Sequence, residues 1–144
     1  MWGIKYRKQQ TRMFSPIYVD GTIKTPEDWE KFEPPDPQET IDGIISVEKQ
    51  LKKIKEDLFL WGGVNGIFYR FLRMRGLANG LMDFHFKERA KMATQILDML
   101  HKFNMAVIPT LIDAGIEACL HDDDFAFLEE PTANLDSYPL FHVL

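Results

Sequence analysis

The chain has 144 residues and a formal net charge of −5, with 22 acidic against 17 basic side chains. That balance offers no electrostatic footprint for nucleic acid, whose binders carry basic patches, and a single cysteine excludes an internal disulfide framework. No apolar run approaches the ~18 residues a membrane span needs, and the polar N-terminus lacks a signal-peptide core, so a soluble cytoplasmic protein without nucleic-acid or membrane partners is expected.

From Trp2 to Val19 apolar and polar residues partly alternate around a polar Lys8-Gln9-Gln10-Thr11 tip, the pattern of a β-hairpin. Asp20-Gly21 marks a turn. Thr25-Pro26-Glu27-Asp28 then starts a short helix, with a capping hydroxyl, proline at the first helical position and acids in the first turn. Pro34-Pro35-Asp36-Pro37 stops it, and Asp36 with Glu39 opens the next helix. Ile41, Ile44, Ile45, Leu51, Ile54 and Leu58 form one stripe on that helix, while Lys49, Lys52, Lys53 and Lys55 lie mainly elsewhere on it.

Leu58-Phe59-Leu60-Trp61 reads as a short apolar strand, and Gly62-Gly63-Val64-Asn65-Gly66 as the loop leading to a helix that begins near Ile67 and closes at Gly76. Gly62, Gly63 and Gly66 permit backbone approach to a ligand, or serve the turn alone; no Gly-Lys-Ser/Thr follows, so this is not a phosphate loop. Arg70, Arg73 and Arg75 suit carboxylate partners, but their spacing fits a solvated helix face, which is the reading adopted. Tyr69, Phe71, Phe84 and Phe86 read as packing residues.

A long helix carries the clearest periodicity: Ala93, Ile96, Leu97, Leu100, Phe103, Val107, Ile108 and Leu111 recur on one face. Pro109 removes one backbone donor within it and is expected to kink it. Gly115 follows as a left-handed cap, Ile116–Leu120 reads as a strand, and His121 precedes Asp122, Asp123 and Asp124. Two strand-and-helix units in succession predict an α/β fold with a parallel sheet, in which binding groups gather beyond the carboxyl ends of strands. The aspartates fall at such an end. They supply hydrogen-bond acceptors or a proton-transferring carboxylate to a ligand, or else form a solvated loop with a helix cap. His121 and Asp122 point to opposite faces of a strand, which argues against one metal site using both.

The ordered segments Gly76-Leu77-Ala78-Asn79-Gly80-Leu81-Met82-Asp83, Asp113-Ala114-Gly115 and Asp123-Asp124 resemble the "GLENLLMD", "AGAD" and "DD" motifs of the uroporphyrinogen decarboxylase superfamily. Within them Ala78, Gly80 and Ile116-Glu117 depart from the family pattern. Trp2-Gly3, Pro34-Pro35-Asp36-Pro37 and Ser137-Tyr138-Pro139-Leu140-Phe141 add weaker likenesses. The resemblance implies a partial (β/α)8 barrel, about its first half, because the whole barrel needs about 250 residues. It thus implies an interior fragment or truncated relative, with an N-terminal hairpin and linker over residues 1–37 and barrel over 38–144.

The "DD" pair places the chain nearer the cobalamin-dependent methyltransferases of that superfamily than its tetrapyrrole decarboxylases. The resemblance then implies catalytic roles for Asp123 and Asp124, with Gly62, Gly63, Asn65 and Gly66 lining the substrate rim; Asp122 has no counterpart in the family and is assigned to that rim only as a member of the acidic cluster. It implies no cofactor held by this chain alone; corrinoid and zinc belong to the full-length protein, and Cys119 does not match a zinc ligand. Its partners would be a tetrapyrrole or methylated small molecule and a corrinoid protein. Two alternatives stand beside methyl transfer: decarboxylation of a tetrapyrrole, as in heme biosynthesis, and an inactive half-barrel that self-associates through open sheet edges.

Overall fold

The computed structural model of the protein describes residues 2–8 and 17–123. The expected hairpin is present: β1 (Lys5–Arg7) pairs antiparallel with β2 (Ile17–Asp20), and Tyr6 faces Tyr18 across it with ring centroids 6.2 Å apart. α1 (Pro26–Glu30) carries a full capping box, in which the Thr25 hydroxyl accepts from the Asp28 N–H and the Asp28 carboxylate accepts from the Thr25 N–H. α2 (Pro37–Lys55) starts where Asp36 Oδ1 accepts the Gln38 N–H at 2.9 Å. Ile41, Ile44 and Leu51 are half-buried and the four lysines exposed, but Ile45 is exposed and Leu58 lies exposed beyond the helix end, so only part of the stripe turns inward.

The next strand departs from expectation. β3 is Trp61–Asn65, not Leu58–Trp61, so Gly62, Gly63 and Asn65 lie in a strand rather than in a loop. Leu58 and Phe59, apolar but outside the ladder, are exposed. β4 likewise is Ala118–Asp122, later than the Ile116–Leu120 reading. The cause is pairing: β3 and β4 run parallel in register from Trp61 opposite Ala118 to Asn65 opposite Asp122. The Glu117 N–H, donating to the Leu60 carbonyl at 2.8 Å, leads into this ladder. Gly63 is required there, since a Cβ at that position would stand 2.6 Å from the Leu120 carbonyl oxygen.

Between the strands lie α3 (Ile67–Arg75), α4 (Leu77–Asp83) and α5 (Lys87–Asp113). Gly76, at φ +79°, ends α3 and begins α4, and Gly115, at φ +99°, follows α5 as the left-handed residue its position predicted. α5 runs through Pro109, whose ring lies on the exposed side. The face read from its periodicity is the buried one: Ala93, Ile96, Leu100 and Val107 are nearly inaccessible.

One buried cluster joins the N-terminal segment to the helices, with Trp2 and Ile23 packed among Phe71, Met74, Met92, Ala93, Ile96 and Leu100. Each large side chain so buried contributes about 1.5–3 kcal/mol. A charged tie crosses the same core. Arg75, read from sequence as solvated, is 1% exposed: Nε and Nη2 donate to the Asp83 carboxylate at 2.6 and 3.0 Å, and Nη1 donates to the Ile23 carbonyl at 2.6 Å. The forked geometry satisfies both buried charges. The architecture is thus mixed α/β, with two two-stranded sheets among the described residues. None of the described helices is long and apolar enough to cross a membrane.

Candidate functional site

Parallel pairing brings the carboxyl ends of β3 and β4 to one rim, where Asn65 and Asp122 are register partners. β3 passes through the buried Gly66 directly into α3. Glycine gives that helix no capping side chain, and the amides of its first turn lack intrahelical acceptors. Asp123 supplies one from the other strand. Its Oδ1 accepts the Tyr69 N–H at 2.8 Å, while Oδ2 lies 3.4 Å from His121 Nδ1, and the carboxylate is only 5% exposed. The positive end of the α3 dipole favours an anion at this spot. His121 and Asp123 reach the same side because strand side chains alternate.

Next to this rim is a cavity of about 160 Å³, opening beside the end of β3 and lying between α3, α5 and the start of α2. Gly63 and Asn65, two of the residues expected to shape a substrate rim, line it. Gly62 does not, its missing side chain instead facing Ile116, and Gly66 sits just beyond the lining. Asp124 lies outside the described residues. Asn104, on α5, donates its Nδ2 to the Asn65 carbonyl at 2.9 Å and ties the strand end to the long helix.

The cavity also holds residues that sequence reading placed elsewhere. The Arg70 Cζ sits 5.2 Å from the centroid of the Trp2 ring, which in turn meets Phe103 edge-on at 4.9 Å. Burial pushes the Arg70 guanidinium below its ordinary pKa, opposed by the nearby Tyr6 and Tyr69 phenols. Arg73, expected on the same solvated face, lies between the Tyr18 and Tyr69 rings at 4.8 and 4.7 Å and donates to the Tyr69 hydroxyl at 2.8 Å. One signal was available in advance: Asn104 interrupts the apolar stripe of α5 between Leu100 and Val107, a polar residue at a core position. Arg70 had no such mark.

The family resemblance implies zinc and corrinoid for a longer protein. Among the described residues no group of three or more His, Cys, Asp or Glu side chains converges as a metal site. His121 and Asp123 form a pair, and Cys119 is an exposed free thiol. Comparison of the chain with protein-family models, with curated proteins and with solved structures found no match in any of the three.

Proposed function

We propose that the chain forms part of a (β/α)8 barrel of the uroporphyrinogen decarboxylase kind, working in a corrinoid-linked methyltransferase in the cytoplasm. One observation supports it. β3 and β4 are parallel, in register and separated by helices, as successive barrel strands are, and their carboxyl ends share one rim. In this reading Asp123 and Asp124 orient the substrate, with Asp122 a further substrate contact. Gly63, Asn65 and Gly66 shape the β3 side. The test is an absorbance titration of hydroxocobalamin with the protein. A shift of the corrin bands that Asp123→Asn weakens is the expected result. An unchanged spectrum removes the reading, and carboxyl loss from uroporphyrinogen under the same conditions replaces it with tetrapyrrole decarboxylation.

A second reading, self-association, is favoured by the sheet face away from α5. Trp61 and Leu120 share that face and remain 67% and 53% exposed, an unusual state for large apolar side chains in a parallel sheet. Light scattering decides it: a dimer supports self-association, and a monomer with a cooperative melt refutes it.

A further inference from the structure

We propose that the cavity beside Arg70 binds a monocarboxylate whose apolar body is about the size of a benzene ring. This does not rest on the family reading, since a tetrapyrrole or corrinoid far exceeds the space.

The first argument is an unmatched cation. Arg70 is half-buried and stacked on Trp2, yet its N–H donors have no hydrogen-bond or ion-pair partner among the described residues. Its neighbours on α3 differ: Arg73 donates to Tyr69, and Arg75 is satisfied by Asp83 and Ile23. Its unpaired N–H groups still reach solvent, since no fully buried side-chain donor among the described residues lacks a partner, so they stand open to a ligand, and a bound carboxylate answers the fork with two parallel hydrogen bonds. Arg70 is also the one charged side chain among the described lining residues, so no acid of that lining competes for it.

The second argument is shape and lining. The cavity's ~160 Å³ is comparable to engineered cavities of ~150 Å³ that take up benzene. Leu100, Phe103 and Val107 give it an apolar wall from α5. Thr40, exposed at its rim, makes no side-chain hydrogen bond among the described residues and offers a donor to the second carboxylate oxygen. A cationic head with an apolar wall selects an amphipathic acid over inorganic phosphate, which would leave that wall against a multiply charged ion.

Calorimetric titration of the whole chain with benzoate, benzamide and inorganic phosphate tests the assignment. Benzoate is expected to bind with a Kd of about 10 mM or tighter, with benzamide and phosphate at least about tenfold weaker. Arg70→Met, which keeps the stem over Trp2 and removes the fork, should abolish benzoate binding. It should leave the melting temperature of the free protein largely unchanged, because no hydrogen bond within the described residues is lost. Arg70→Lys, a second variant that keeps the charge, should bind benzoate more weakly than the parent. Equal binding of benzoate and benzamide, tighter binding of phosphate, no benzoate binding, or full benzoate binding by either variant would overturn the proposal.

Discussion

The carboxylate of Asp123 holds the backbone N–H of Tyr69 at 2.8 Å, so a residue just past β4 caps the helix that follows β3. The bond fastens the two strand ends to each other through α3. Asp123→Ala should therefore lower stability by about 1–2 kcal/mol in urea unfolding, the range for loss of a helix cap. Asp123→Asn keeps an acceptor oxygen and should lose less than half of that. Equal losses would show that the charge beside His121 and the helix dipole carries the effect instead.

The Arg75–Asp83 pair is nearly inaccessible on both sides. Asp83→Ala leaves a buried guanidinium with only the Ile23 carbonyl and the more distant solvent, and should cost about 3–5 kcal/mol. Replacing both partners together with apolar residues of similar volume should recover most of that loss. A small effect of the single change in denaturant unfolding would mean that the core opens readily to water around Arg75.

Gly63→Ala should destabilise by about 1–3 kcal/mol, because the new methyl meets backbone, the Leu120 carbonyl, rather than a side chain able to move. Gly43→Ala is the opposite case. Gly43 sits in α2 with nothing near its missing Cβ, so alanine there should stabilise by about 0.5–1 kcal/mol. Melting curves of the two variants should move in opposite directions.

Asp28 is held below the ordinary carboxylate pKa, first by the Lys24 backbone N–H and then by that of Thr25. A lowered folded-state value means that its contribution is present above the ordinary value of 3.8 and disappears as pH falls through the lowered one. The Trp29 indole, which donates to Gln95 Oε1 at 3.1 Å, reports the docking of α1 on α5. Its Nε1–H resonance should shift in that acid window. Asp28→Asn should reduce the pH dependence of the shift, leaving the part due to Glu27, which backbone and Thr25 hydrogen bonds also hold low.

Where a local rule sufficed, the sequence could be read directly. Thr25-Pro26 and Asp36-Pro37 start helices because hydroxyl or carboxylate caps and proline act over a few residues, and Gly76 and Gly115 end them because the left-handed backbone favours glycine. The buried face of α5 was equally plain from its spacing. Strand limits were not: Leu58 and Phe59 look more strand-like than Gly62 and Gly63, but the β4 partner selects the residues whose backbones approach closely enough. The surroundings of Arg70 and Arg75 were hidden for the same reason. Their neighbours Trp2 and Ile23 come from the far end of the chain, and no short-range pattern announces them.

The Arg75 guanidinium touches three stretches at once, the turn after the hairpin through Ile23, its own helix, and α4 through Asp83. The Ile23 N–H adds a second link, to the Met74 carbonyl at 3.0 Å. Peeling the first two dozen residues away would leave Arg75 paired with Asp83 but take the acceptor from its Nη1 and uncover the apolar contacts of Trp2 and Ile23, so partial detachment is a high-energy excursion. The amide of Ile23 should exchange with deuterium as slowly as those in the middle of α5, with the hairpin lead-in and the helices melting as a single unit.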